Sequence, residues 1–328
     1  TIPGSSDMSD TPERVRPPIP AHISEEAKRY LEMAASLPKC PVPSDLGDVD
    51  GWLRYVEAND AFIEDWFLRS LPAELPLARD ELEIDGVRTY VLRPDHVAAG
   101  PQTPIYLEIH GGALIMGGGE LCARMGSGFA ITREMVTWAV DYRMPPRHPY
   151  PAALDDLVAV YRRALGEHSP EDVFVGGASA GGNLAAALLL RAKDEGLAMP
   201  AALVLLSPEV DLTESGDSFH TNLGIDAVLD PLEPVNVLYA NGHDLSHPYL
   251  SPLFGDVSGF PPTFLQSGTR DLFLSNTVRM HRKLRAAGVD AELHVFEAMP
   301  HGGFGGAPED VEIIVEMQRF LERHRRRR

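Results

Sequence analysis

Ser179 stands in Gly177-Ala178-Ser179-Ala180-Gly181, directly after the apolar run Val173-Phe174-Val175-Gly176 and before the helix-like stretch Asn183 to Lys193. A sharp strand-to-helix turn would hold this serine in a strained backbone conformation and push its hydroxyl out of the sheet, with small glycines allowing neighbouring elements to approach. A serine hydroxyl is a poor nucleophile at neutral pH, so the chemistry also needs a general base, an acid that orients the base, and donors for an oxyanion. His301, in Met299-Pro300-His301-Gly302-Gly303-Phe304, is a base on a glycine-flanked loop that could swing over the serine. Asp271 follows the strand-like Pro262 to Gly268 and is placed to be the acid. Upstream, Ile105 to Ile109 ends in His110-Gly111-Gly112-Ala113, a turn whose bare backbone can aim N–H groups into a cleft. The amides of Gly112, Ala113 and Ala180 are the expected oxyanion donors, with Gly111 shaping the loop. Together these parts describe acyl transfer at a serine, with neither a metal nor an organic cofactor.

The alternatives are fewer than the carboxylates and imidazoles available. Asp211, Glu209 and Glu297 are rival acids; the first two follow the strand Leu203 to Leu206 too early in the topology, and Glu297 lies too near His301 in the chain. His148 sits among prolines, while His243 and His247 lie in a polar loop without Cys or carboxylate partners at a recognised zinc spacing.

The elements that would position these groups read as an alternation of strands and helices. Leu82 to Leu92 forms a hairpin turning at Asp85-Gly86, followed by strands at 105–109, 136–140, 173–176, 203–206, 263–267 and 293–296. Counting the hairpin twice gives eight strands. Helical periodicity marks 154–165, 184–192, 275–287 and 311–321, so the sheet is expected to be mostly parallel and flanked by helices on both faces. The chain order Ser179, Asp271, His301 is that of the α/β-hydrolase fold, distinct from the orders of chymotrypsin and subtilisin.

With those residues in place, the sequence resembles the bacterial hormone-sensitive-lipase-like family of serine esterases. The likeness runs from about residue 75 to 323. It rests on His110-Gly111-Gly112, the block Asp141-Tyr142-Arg143-Met144-Pro145-Pro146-Arg147-His148-Pro149-Tyr150-Pro151-Ala152-Ala153, the nucleophile turn, Ser207-Pro208 with Asp211-Leu212-Thr213, and the Asp271 and His301 loops. Ala113 replaces the third glycine of the usual His-Gly-Gly-Gly, Ala178 replaces the Asp or Thr usual before the nucleophile, and Arg147 replaces a common Glu. The run from Ser251-Pro252-Leu253 through Ala286-Ala287-Gly288 also looks like members that hydrolyse lactones or small acetyl esters.

The resemblance implies a carboxylic ester hydrolase for small to medium acyl esters, working through an acyl-enzyme on Ser179. A lactonase, amidase or formamidase could use the same triad, and a ligand-binding receptor could use the fold without turnover, although such receptors usually have a damaged triad. The family's dimers make a homodimer an open expectation, with no interface marked in the sequence.

The remaining features bound the organisation. A chain of 328 residues suits one catalytic domain, expected at 76–328, with an N-terminal helical cap segment at 1–75 and a second cap segment at about 211–245, where the strand pattern lapses. Helices are expected at 24–37 and 50–70, separated by Pro38-Lys39-Cys40-Pro41-Val42-Pro43. Trp52, Tyr55, Val56, Phe62, Ile63, Trp66 and Phe67 there are either packing residues or the wall of an acyl or alcohol pocket. A net charge of −19 argues against nucleic-acid binding by the body of the protein, and the basic tail Arg323 to Arg328 reads as an exposed terminus. Cys40 and Cys122 are too few for a disulfide framework, no signal peptide opens the chain, and no apolar run is long enough for membrane insertion, so the expected location is the cytoplasm. Met8-Ser9-Asp10 resembles a natural start, which would make residues 1–7 foreign to the natural chain.

Overall fold

Short apolar runs bounded by turn residues become the strands of one sheet in a computed structural model that describes residues 16–37, 40–67, 71–72, 74–98, 100 and 103–326. The strands are β1 (Leu77–Ile84), β2 (Val87–Pro94), β3 (Ile105–Ile109), β4 (Val136–Asp141), β5 (Val173–Ala178), β6 (Ala202–Leu206), β7 (Thr263–Gly268) and β8 (Ala291–Phe296). Their spatial order is 1-2-4-3-5-6-7-8. β1 and β2 form the antiparallel hairpin, β2 pairs antiparallel with β4, and the other neighbours are parallel. The central strands β3 and β5 are buried on both faces because both faces are covered, as parallel strands require.

The covering helices are α3 (Glu120–Arg133), α4 (Ala152–Glu167), α5 (Ala180–Asp194), α8 (Leu274–Ala286) and α9 (Pro308–His324). α1 (Glu25–Ala34) and α2 (Val49–Phe67) precede the sheet, and α6 (Ser218–Thr221) and α7 (Glu233–Ala240) interrupt the long passage from β6 to β7. The sequence reading has no counterpart for α3. Its two glycines depress helix propensity, but Gly126 is demanded by packing: a Cβ there would lie 2.6 Å from the Ala139 Cβ. α5 also begins at Ala180, ahead of the expected start, because the turn at Ser179 feeds directly into helical backbone.

The segments expected to form caps pack over the ends of the strands. Trp52, Tyr55, Val56 and Ile63 of α2 join a cluster with Ile115, Met116, Phe219, Leu232, Val235, Leu272 and Phe273. Trp52 is fully buried and its indole N–H donates to the Asp45 carbonyl, the signature of packing. Side chains of Trp66 and Phe67 lie outside the described residues, as do residues 1–15, 38–39, 68–70 and 327–328. α1 packs Ala27, Tyr30, Leu31 and Ala34 against Ala298, Met299 and Phe304, so it braces the loop that carries His301. Among the described residues, no helix is long and apolar enough to cross a membrane.

One charged pair is buried inside this architecture. Glu108 on β3 meets Arg133 of α3 at 2.6 Å with both side chains out of solvent, and the guanidinium lies over the Tyr106 and Phe129 rings at 4.1 and 4.5 Å. Burial pushes the Glu108 carboxyl up to about 7 against the pull of Arg133. Removing the cation leaves a buried carboxylate uncompensated, so Arg133→Met is expected to destabilise the fold by about 3–5 kcal/mol at pH 8. Because Glu108 titrates higher when folded than when unfolded, the penalty disappears as falling pH protonates it, and the gap to wild type should narrow at pH 5. Denaturant melts at the two pH values check this; a pH-independent gap would show that the loss comes from packing alone.

Candidate active site

The turn between β5 and α5 strains Ser179 to φ 58° and ψ −123°, a region that side chains rarely adopt. Glycine permits it from both sides. A Cβ on Gly181 would lie 1.9 Å from the Ile109 carbonyl oxygen, and one on Gly177 would lie 2.3 Å from the same atom. The strand end, the turn and β3 therefore touch backbone to backbone, and the Gly-x-Ser-x-Gly spacing follows from that contact. The Ser179 amide donates to the Leu206 carbonyl at 2.9 Å, and its own carbonyl accepts from Gly182 and Glu209.

Ser179 Oγ lies 2.9 Å from His301 Nε2, and His301 Nδ1 lies 3.1 Å from Asp271 Oδ1. A carboxylate only accepts, so Nδ1 carries the proton and Nε2 is left to accept from the serine hydroxyl. Asp271 is fully buried after β7, where Oδ1 also accepts from the Phe273 amide at 2.9 Å and Oδ2 from the Ser267 hydroxyl at 2.7 Å. Burial would raise its carboxyl, but His301, Ser267 and Phe273 together hold it below the ordinary carboxylate range. For His301, burial disfavours the imidazolium, yet the charge and hydrogen bond of Asp271, helped by the Asp226 carboxylate, outweigh it and raise the imidazole above its usual value. The Phe273 ring stands edge-on to the imidazole at 4.9 Å and closes one side.

The loop after β3 packs on the Ser179 turn: a Cβ on Gly111 would sit 3.4 Å from the Ser179 Cβ. Gly112, Ala113 and Leu114 have φ of 122°, 50° and 65°, so three successive residues turn with left-handed backbone. Among the described residues, no acceptor takes the N–H of Gly112, Ala113 or Ala180. His110 is part of the scaffold. Burial pushes it down to about 4, keeping it neutral, and Nδ1 donates to the Gly111 carbonyl at 2.7 Å.

The role of the Asp141-Tyr142-Arg143 block, opaque in the sequence, becomes physical here. Tyr142 stacks on the His110 ring at 4.1 Å and its hydroxyl donates to the His110 carbonyl at 2.8 Å. Asp141 accepts from the Gly119 amide, and Arg143 grips buried Asp156 through Nε and Nη2. Asp60 of α2 accepts from the Gly117 amide at 2.8 Å. The glycine loop is thus held from the end of β4 and from α2.

The rival acids are occupied elsewhere. Asp211 is buried but bonds Thr213, Ser215 and Arg279, with Arg279 Nη1 at 2.7 Å. Those bonds outweigh burial and keep its carboxyl low. Glu297 is exposed. Glu209 is buried beside the site, and burial with the nearby Glu214 pushes it up to about 8 against the pull of His301, so it is neutral at pH 7. His243 and His247 pack their rings against Tyr150 at 5.0 and 6.3 Å. Sequence reasoning gave no weight to Asp226, which the passage between β6 and β7 brings to the backbone of both Leu272 and His301. Nothing in Ile225-Asp226-Ala227 signals it, because its partners are far away in the chain.

Known proteins share this fold. A family described as alpha/beta hydrolase fold matches residues 106–304. An esterase of Acinetobacter venetianus is 33% identical over 227 residues, covering 66% of this chain and 74% of its own. The crystal structure of an esterase named E25 superposes with a TM-score of 0.83 at 35% identity, over 97% of this chain and 100% of that one. An esterase from the bacterial hormone-sensitive lipase family gives a TM-score of 0.80 at 29% identity, over 92% of this chain and 98% of that one. The sheet order, the Gly-x-Ser-x-Gly turn and these likenesses converge: the chain belongs to the α/β-hydrolase fold family, among its bacterial hormone-sensitive-lipase-like esterases, and is a carboxylic ester hydrolase.

Proposed function

We propose that the protein hydrolyses small to medium acyl esters through an acyl-enzyme on Ser179. His301 Nε2 takes the serine proton as Oγ attacks the ester carbonyl carbon, and Asp271 stabilises the resulting imidazolium. The carbonyl oxygen, now an oxyanion, is held by the amides of Gly112, Ala113 and Ala180. Collapse breaks the bond to the alkoxy oxygen, which leaves as the alcohol with the proton from Nε2. Water then repeats the cycle on the acyl-enzyme, releasing the acid and restoring Ser179.

The observation that carries this reading is the continuous chain from Ser179 Oγ through both imidazole nitrogens to Asp271 Oδ1. Free amides on the adjoining loop and helix start support the oxyanion role. The acyl size rests on the apolar cluster beside His301: Phe219, Phe273, Ile115 and Met116 favour an apolar group, and because they already pack against one another they favour a short one. The segments at 1–75 and about 211–245, which contribute Trp52 and Phe219 to this cluster, are assigned the cap role.

p-Nitrophenyl esters from acetyl to dodecanoyl, with lactones and anilides of matched acyl groups, test the reading. The expected profile peaks at short to medium esters, with a stoichiometric burst of nitrophenol from acyl-enzyme formation. Anilide or lactone turnover exceeding every ester would overturn the substrate class. The pH profile adds a second check. His301 must be neutral to accept the proton, and its pKa is raised, so kcat/KM should fall on the acid side through a pKa above about 6.5. An acid limb at or below that value would contradict the proposed environment of the base.

A further inference from the structure

The passage between β6 and β7 holds the loop of the proposed acid at several points. Ser218 Oγ donates to the Leu272 carbonyl at 2.6 Å, and Asn222 Nδ2 donates to the carbonyls of Asp271 at 2.8 Å and Thr269 at 3.2 Å. Asp226 reaches further. It is 1% exposed, and its Oδ2 accepts from the Leu272 amide at 2.8 Å, one residue past Asp271. Its Oδ1 accepts from its own turn, at Val228 and Leu229, at 2.9 and 3.2 Å. Both oxygens also lie near the amide of His301, at 3.3 and 3.4 Å. One carboxylate from a separate segment therefore touches the loop of the acid and the backbone of the base.

We propose that Asp226 is a positioning residue: it fixes the Asp271 loop relative to the His301 loop, and its negative charge favours the imidazolium that forms when Ser179 attacks. The inference rests on the serine reading above. The residue type fits the task. Four amides converge on it, and only a carboxylate offers two oxygens with acceptor sites for all of them; an asparagine would turn its NH2 against at least one N–H. The groups that act on it come from different elements, Asp271 after β7 and His301 after β8, while Glu209 after β6 faces the same imidazole but is neutral at pH 7. Burial and the Asp271 charge push Asp226 up to about 6, opposed by His301 and the amides of Val228 and Leu272, which leaves it ionised at neutral pH.

Asp226→Asn is expected to lower kcat by about 10- to 100-fold with KM nearly unchanged, the scale of a catalytic group displaced by a fraction of an ångström to an ångström. The acid limb of kcat/KM should move to lower pH, because a charge that stabilises protonated His301 is gone. In an Asp271→Asn background the same substitution should cost several-fold less, since the loop then positions a neutral amide in place of the counter-charge and only the direct effect of the Asp226 charge on the imidazolium remains. A loss of thermal stability with wild-type kcat and an unmoved acid limb would overturn the proposal, because a plain structural brace would produce that pattern; so would full additivity with Asp271→Asn.

If Asp226→Asn does not fold, Asp226→Glu carries the test. Charge retained should keep the acid limb in place, while the longer side chain displaces the loops and lowers kcat; undiminished kcat in that variant would also overturn it. Ser179→Ala is measured alongside. Turnover persisting there defeats the serine reading itself, whereas a dead Ser179→Ala with an unaffected Asp226→Asn defeats only the role given to Asp226.

Discussion

Ser179→Ala is expected to reduce kcat by roughly 10⁵- to 10⁶-fold, the cost of deleting the proposed nucleophile from its proposed triad, with the remaining rate above water coming from the oxyanion site and binding. Loss of Oγ also removes the group that His301 Nε2 faces at 2.9 Å, so the burst of nitrophenol should vanish with the turnover. Folding should be untouched, since alanine is no worse suited than serine to φ 58°, ψ −123°. That strain separates the effects of two substitutions. Ser179→Gly should be as inactive as alanine but more stable by about 1 kcal/mol, because glycine relieves backbone strain of about 1–3 kcal/mol and returns part of it as chain entropy. Kinetics and thermal melts on the two variants check both halves. An alanine variant within a hundredfold of wild type would remove Ser179 from the chemistry, and a glycine variant less stable than alanine would remove the strain argument.

How much could be read from the residues depended on whether the cause was local. The β1–β2 hairpin was legible because Asp85-Gly86 supplies two residues able to turn with positive φ, and they do, at 50° and 83°. The strands were legible as apolar runs between turn residues. Helix α3 was not, because Gly126 and Gly128 argue against helix locally while close packing on β4 requires the first of them. At the site, Ser179, Asp271 and His301 stood out by residue type and by chain order. Their surroundings did not. Tyr142 acts by stacking on His110, thirty-two positions earlier, and Asp226 by meeting amides forty-six and seventy-five positions later. Such roles belong to the tertiary arrangement and leave no periodicity or motif behind. The same holds for Glu209, whose closeness to His301 comes from the crossover of β6 beside β5.

Asp271→Asn should have the second-largest effect, and its size depends on which way the new amide turns. The Phe273 N–H points at Oδ1, the oxygen that also faces His301, and needs an acceptor there. The Ser267 hydroxyl at Oδ2 can reverse its hydrogen bond and accept. Both neighbours therefore select the rotamer with the amide oxygen towards the imidazole, so Nδ1 keeps its proton and Nε2 can still accept from Ser179. The loss then comes from the missing charge alone, and kcat should fall by about 10³-fold, short of the roughly 10⁴-fold that follows when an asparagine traps the wrong tautomer. The pH dependence should change as well. Without the carboxylate, His301 loses the largest support for its charged form and titrates lower, so the variant keeps its base neutral into more acidic solution. The ratio of wild-type to variant activity should thus be greatest at neutral to alkaline pH and shrink as the pH falls below the wild-type acid limb. Combining Asp271→Asn with Ser267→Ala leaves the amide NH2 without an acceptor while Phe273 still requires the oxygen, so the rotamer should hold and the double variant should lose stability more than activity. Parallel pH profiles for wild type and Asp271→Asn would mean that another carboxylate sets the charge on His301, and the buried Asp226 would be the first to substitute.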